Sequence, residues 1–307
     1  MRKAIISISI VLWSIIGLVI GTVLIYKIFD IPTPQWVQDL PGRFNFGRGN
    51  VVMLKEESFP IDGVRDIRVG GSYQSVIVTL HDGRDLEVKH YDYDTEKGFA
   101  MRADGREIVI DAPKRSFGLF TYGGNPRLEI AVPKAYAENV SFSTVSGSVT
   151  VEDYAAWRDV TLKTTSGSIL VQTLTAAQTD VHSVSGSVKL EGKVSCTSLN
   201  VKTTSGSVAM SDCAVSGPVT LKTVSGKISA GDIQGSSISG DTTSGSQTYG
   251  DLDAAGLIKL KSVSGSVNAG AVRSPSHDIK TTSGGIRIGE LTGDGPVKTT
   301  SGSVRTG

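Results

Sequence analysis

The chain has 307 residues, length enough for two or three ordinary domains, and 31 Lys and Arg against 30 Asp and Glu leave a formal charge of +1, so no global charge points to nucleic acid. Aromatic residues make up only 6%, whereas Gly, Ser, Thr and Val are plentiful, a composition that suits strands and turns and argues for an all-β body. Two cysteines, Cys196 and Cys213, exclude a disulfide-dense scaffold.

In chain order, residues 1–3 form a short basic stub, Met1-Arg2-Lys3, before AIISISIVLWSIIGLVIGTVLIY at residues 4–26, a run without charge. About 20 apolar residues cross a bilayer core, and a secretory core is usually about 7 to 15. No A-x-A-like cleavage site comes after it, which favours a retained single-pass anchor over a cleaved signal. Arg2 and Lys3 place the stub in the cytoplasm and the rest of the chain outside the cytoplasmic membrane. Residues 27–50 contain IPTPQW, whose two prolines read as an extended extracytoplasmic linker.

Residues 51–135 carry looser strand patterns. SVIVTL and DLEVKHY flank HDGR, where Asp82-Gly83 suits a hairpin turn, and REIVIDA and RLEIAVP continue the β reading. This segment is expected to be a β-rich lead-in that caps the entry to the C-terminal body.

Residues 136–307 are a repeat. The Gly of each SG pair stands at Gly147, Gly167, Gly186, Gly206, Gly226, Gly245, Gly265, Gly284 and Gly302, at intervals of 18 to 20 residues. A period of this size is the mark of stacked units. Apolar residues lie at odd offsets before each Gly (Val160 and Leu162, Leu199 and Val201) and at even offsets after it (Ile169 and Val171, Val208 and Met210). One buried face can be kept across such a change of parity only if the chain bends there. A second change comes later in each copy, since Leu174, Cys213, Ile233 and Leu252 stand seven residues after their Gly. Three short sides and three bends per copy, stacked at about 4.8 Å, make a parallel β-helix of about nine coils.

In this reading the Gly tolerates the backbone geometry of a tight bend, and the Ser beside it, from Ser146 to Ser301, satisfies turn groups. The hydroxyls three residues before the Gly, from Thr144 to Thr299, point inward and need partners from the next coil.

The anchor, the lead-in closing with LEIAVPK at Leu128 to Lys134, and the run of TVSGSV and TTSGSI together resemble the bacterial β-strand-repeat family of unknown function, whose members are named as candidate adhesins. The likeness covers Phe59 to Gly307. It implies an extracytoplasmic protein of the cell envelope with adhesin-like display.

Chemistry is sparse. Asp153, Asp212, Asp232, Asp251 and Glu290 share a column six residues after the Gly, which reads as a solvated turn edge or as a catalytic or Ca²⁺ row. His81, His90, His182 and His277 show no metal-ligand spacing, so no metal and no cofactor is expected. Cys213 occupies a core column and Cys196 stands in a different one near another bend, which disfavours a disulfide between them but leaves their pairing open.

The candidate binding residues are Lys163, Lys202, Lys222, Lys261, Lys280 and Lys298, which with His182 stand four residues before the Gly on the outward face. Such a stripe either keeps an exposed sheet soluble and unpaired or meets a linear polyanion of the envelope, such as a teichoic-acid-like polymer. The neighbouring outward row from Val145 to Thr300 alternates Val and Thr, and facing Lys rather than Thr it does not suit ice. The expected function is therefore non-enzymatic binding at the envelope. The alternative is a component of envelope-stress signalling acting through a membrane sensor, because three residues inside the cell cannot carry a signalling domain. A polysaccharide-cleaving enzyme is a third class.

Overall fold

The switch of apolar parity at each SG pair is realised as a corner, and the copies stack in strict register. The structure, a computed structural model, describes residues 50–93, 99–112 and 124–307, with nothing said of the side chains of 153–155. Every regular element among them is a strand. The stub, the apolar span at residues 4–26 and the linker up to residue 49 lie outside the described residues; among those described, no helix is long and apolar enough to cross a membrane.

The repeat is a parallel β-solenoid, and its nine motif copies close about eight turns. On the side before the corner, Val140, Val160, Thr179, Leu199, Val219, Ile238, Ile258 and His277 stand opposite one another in successive turns. After the corner, Val149, Ile169, Val188, Val208, Ile228, Gln247, Val267 and Ile286 do the same. The third side aligns Leu174, Val194, Cys213, Ile233, Leu252 and Val272. All are buried, in one core that runs from Val64 to Ile288. Each fully buried aliphatic side chain contributes about 1.5 to 3 kcal/mol.

The corner works for a different reason from the one expected. None of the SG glycines has a positive φ; among the described residues that conformation is confined to Gly63, Gly105, Gly124, Gly293 and Gly295. The need is steric. A Cβ on Gly167 would stand 1.8 Å from the carbonyl oxygen of Gly147, one on Gly206 would stand 2.0 Å from that of Gly186, and one on Gly245 would stand 1.7 Å from that of Gly226. Glycine is present because each corner packs backbone on backbone against the one before.

The inward hydroxyls lock this contact. Thr164 Oγ1 donates to Gly147 O at 2.9 Å and accepts the Gly167 N–H at 3.1 Å. Thr203 does the same between Gly186 and Gly206 at 3.3 and 3.1 Å, and Thr223 between Gly206 and Gly226 at 3.0 and 3.0 Å. Ser183 and Ser262 serve equally well in their turns, so the hydroxyl is needed and the methyl is not. The Ser preceding the Gly contributes its N–H to the previous turn, as Ser166 does to Val145 O at 2.8 Å, while its side chain is exposed. The hydroxyl that satisfies backbone stands one place after the Gly instead: Ser148 Oγ accepts from Ser168 N at 3.2 Å and Ser207 Oγ from Lys227 N at 3.2 Å.

One turn departs from the aliphatic core. Gly240 replaces the Val, Leu or Ile of its column, because Tyr249 OH occupies the space a Cβ there would fill, at 2.0 Å. Tyr249 faces Ala230 across the register and donates to Gln247 Oε1 at 2.8 Å, and Gln247 Nε2 donates to Lys261 O. Volume lost at one position is recovered from another, with the polar groups satisfied inside.

The lead-in continues the stack. Its strands are β1 (Val51–Pro60), β2 (Asp66–Gly70), β3 (Ser75–His81), β4 (Asp85–Tyr93), β5 (Ala100–Asp104), β6 (Glu107–Asp111) and β7 (Arg127–Pro133), and β8 (Asn139–Thr144) and β9 (Val149–Thr164) open the repeat. β2 pairs in parallel with β8 and β3 with β9, so the bend between β2 and β3 stands where the preceding corner would be. β6 and β7 add parallel strands beyond them, and β5, β4 and β1 finish the sheet with antiparallel pairings. Antiparallel strands at this end cover edges that could otherwise recruit another chain.

The first corner is held by a buried carboxylate. Gln74 O accepts from Thr144 Oγ1 at 3.0 Å, starting the hydroxyl ladder, and Gln74 Nε2 donates to Asp92 Oδ2 at 2.7 Å. Asp92 also accepts from Tyr73 OH at 2.9 Å and Tyr93 N at 2.8 Å, and lies 3.1 Å from His90 Nε2. Burial pushes its carboxyl up, and the hydrogen bonds from His90, Gln74, Tyr93 and Tyr73 together outweigh it and hold it below the usual carboxylate range.

This packing can be tested at two points. Gly206→Ala and Thr203→Val should each lower the urea midpoint well beyond Lys202→Ala, by the equivalent of about 2 to 4 kcal/mol, because one forces corners apart and the other orphans a donor and an acceptor. Equal midpoints for Thr203→Val and Thr203→Ser would refute the hydroxyl ladder. At Asp92, a lowered folded pKa means the stabilisation is present above the unfolded value of about 3.9 and is lost as pH falls. Asp92→Asn should therefore be less stable than wild type at pH 7 by about 1 to 3 kcal/mol, with the gap closing toward pH 3; a gap that is constant across pH 3 to 7 contradicts the assignment.

Candidate functional site

The strand before each corner alternates inward and outward, so the residue preceding the inward hydroxyl faces solvent. Strict register then lines these residues up. Ser143 stands opposite Lys163, Lys163 opposite His182, His182 opposite Lys202, and Lys202 opposite Lys222. The column continues through Asp241, Lys261, Lys280 and Lys298. The six lysines singled out from the sequence thus form one straight ladder, spaced at the ~4.8 Å of paired strands.

The ladder is electrically uneven. Lys222 Nζ lies 3.3 Å from Asp241, and Lys261 and Lys280 lie 3.5 and 2.7 Å from the two oxygens of Asp278. The Lys280 hydrogen bond, opposed by partial burial, holds the Asp278 carboxyl below the usual range. Among the described residues Lys163 and Lys202 form no ion pair, and both are exposed. Beside His182, the Asp180 carboxylate accepts from Asn200 Nδ2 at 2.7 Å. Asp278, two residues before Lys280 on the same face, is what the sequence reading of the column missed; its signal was a carboxylate at the next outward position of the same strand.

The acidic column has a structural use. Asp212 Oδ1 accepts the Asp232 N–H at 2.9 Å, Asp232 Oδ1 the Asp251 N–H at 2.7 Å, and Asp251 Oδ1 the Ala271 N–H at 3.0 Å. Glycine precedes the column in the next turn because a Cβ at Gly231 or Gly250 would meet the Asp oxygen at 2.2 Å. Arg273 closes the row by bridging Asp251 and Glu290 at 3.1 and 2.9 Å. A shallow groove of about 650 Å³ runs along this edge past Glu191, Lys193, Asp212, Asp232, Asp251 and Arg273. Among the described residues no three His, Cys, Asp or Glu are placed to hold a metal ion. The side chain of Asp153 lies outside the described ones.

Cys196 and Cys213 are both buried free thiols. Burial pushes the Cys196 thiol up to about 11, and burial together with the neighbouring Cys196 pushes Cys213 up to about 12. The outward row beside the lysine ladder exposes Val145, Val184, Val224 and Val263 on alternate turns; nothing in the structure explains that alternation.

A family model described as Toastrack DUF4097 matches residues 65–247 and 197–306, and so most of the chain. The chain belongs to the Toastrack family. No curated protein matches it. Similar solved structures include a candidate adhesin from Bacteroides fragilis, 18% identical, with 82% of this chain and 96% of that one covered and a TM-score of 0.43. A candidate adhesin from Parabacteroides merdae is 14% identical, with 86% and 99% covered and a TM-score of 0.43. A candidate lipid-binding protein from Parabacteroides distasonis is 16% identical, with 85% and 100% covered and a TM-score of 0.40.

The Toastrack core predicts inert cysteines. Native protein at pH 8 should release no measurable thiol to a disulfide reagent over minutes, and both thiols on unfolding in guanidinium, since only the thiolate reacts. Rapid labelling of the folded protein would contradict their burial.

Proposed function

We propose that this protein is a non-enzymatic binding module of the bacterial cell envelope, held by a single-pass anchor with its solenoid outside the cytoplasmic membrane, and that its lysine ladder captures a linear anionic polymer. One observation carries the reading: six lysines stand in strict register in one outward column of the stack, interrupted only by His182 and Asp241. A polyanion with regularly spaced phosphates meets such an array at several points and releases counterions at each, which gives affinity without a shaped pocket. The acidic column supports a non-enzymatic reading, because its carboxylates are engaged by backbone N–H groups and by Arg273.

The uneven pairing along the ladder favours one stretch of it for this contact. Lys163 and Lys202 are free to meet phosphate, whereas Lys261 and Lys280 share Asp278. Lys163→Gln with Lys202→Gln should weaken binding to sacculi that carry their anionic polymers by about tenfold or more at low salt and leave the melting temperature unchanged. Lys261→Gln with Lys280→Gln should weaken it far less. Wild-type binding should fall steeply as salt rises and vanish on sacculi stripped of the polymers. Salt-insensitive binding that neither pair of changes affects would defeat the reading and leave the ladder a device for solubility.

A further inference from the structure

The proposed lysine ladder has one member whose charge is not fixed. His182 stands on the outward face directly between Lys163 and Lys202. Neutral, it interrupts the cationic run at its centre; protonated, it makes the run from Lys163 to Lys222 continuous over four turns. Imidazole is the side chain that ordinarily gains its charge between pH 8 and 5.

Resting on the function proposed above, we propose that His182 is a ligand-contacting residue of the polymer site and that its protonation tightens capture of a phosphodiester polyanion as pH falls. The groups facing it are few. Lys163 flanks it from the preceding turn and Lys202 from the next one. On its own strand, Asp180 lies two residues back on the same face, opposite Thr161 and Asn200, and its carboxylate is engaged by Asn200 Nδ2 at 2.7 Å. His182 itself is half-buried and forms no ion pair among the described residues.

A charged His182 is a third cation in line with the Lys163 and Lys202 ammonium groups. A polymer phosphate lying across the ladder is attracted by all three. Binding and proton uptake therefore favour each other, by the reciprocity that any two coupled binding events obey. The other histidines are placed differently: His90 and His277 are buried in the core, and His81 lies in the lead-in, hydrogen-bonded to Asp85 O.

The test uses the full-length chain in detergent micelles and a synthetic poly(glycerol phosphate), whose phosphodiesters keep a constant charge across the range. Affinity is measured at pH 8 and pH 5.5 over a series of salt concentrations for wild type, His182→Gln and His182→Lys. Wild type should bind about three to ten times more tightly at pH 5.5, with a slope of log affinity against log salt steeper by about 0.7 to 0.9, as for one added phosphate contact. His182→Gln should stay weak at both pH values and His182→Lys tight at both. Equal tightening in wild type and His182→Gln would place the proton elsewhere and overturn the proposal. So would pH-independent binding in wild type that stays salt-sensitive and is lost in Lys163→Gln with Lys202→Gln, an outcome that leaves the ladder itself standing. No binding by any form at either pH would defeat both.

Discussion

The whole solenoid depends on one contact, in which a buried hydroxyl bridges the glycine carbonyl of one turn and the glycine N–H of the next. It satisfies two backbone groups that the corner would otherwise bury unpaired. To reach both, the two corners must lie backbone against backbone, and only glycine leaves that space. The same contact fixes register. A turn shifted by one residue would send its hydroxyl out to solvent and a polar residue into the core, so each copy has a single allowed alignment with its neighbour.

Register set from inside governs what is displayed outside. The residue before each bridging hydroxyl must face solvent, and because every hydroxyl is locked to the corner below, these outward residues fall into a straight column. The lysine ladder is thus a geometric consequence of the glycine ladder. Its residue types are free to vary, which is why one turn can carry His182 and another Asp241 without disturbing the fold. The second corner obeys the same logic with a carboxylate in place of a hydroxyl: Asp212, Asp232 and Asp251 each accept a backbone N–H from the next turn.

The inward and outward columns, the three-sided turn and the in-register stack were legible in the sequence because burial imposes period two on a strand and a corner resets its phase. The reason for the glycine was not legible. A positive φ and a close backbone approach both select glycine, and only the distance from a would-be Cβ to the preceding carbonyl tells them apart. The serine roles were exchanged for a related cause, since two hydroxyls one residue either side of a corner look alike until the direction of each side chain is known. At the candidate site the lysine column was readable, but Asp278 lies in the neighbouring column, and its pairing with Lys280 along the strand and diagonally with Lys261 of the preceding turn is not shown by column-by-column alignment. The lead-in, with its antiparallel strands and strand order out of sequence, has no repeat to align against.

The turn around Gly245 shows how interior and exterior substitutions coincide. Inside, Gly240, Gln247 and Tyr249 replace three aliphatic positions by a polar set that is hydrogen-bonded within itself and to the next turn. Outside, Asp241, adjacent to Gly240 on the same strand, interrupts the lysine ladder and takes the charge of Lys222. A bulky Cβ-branched residue at 240 is excluded by Tyr249, so this strand gives up core volume at the point where its outward face changes sign. Beyond it, Lys261 and Lys280 share Asp278, while Lys298 is exposed and forms no ion pair among the described residues; before it, Lys163 and Lys202 stand free around His182. One atypical turn therefore separates a stretch around His182 whose flanking lysines form no ion pair among the described residues from a stretch in which two successive lysines share one carboxylate.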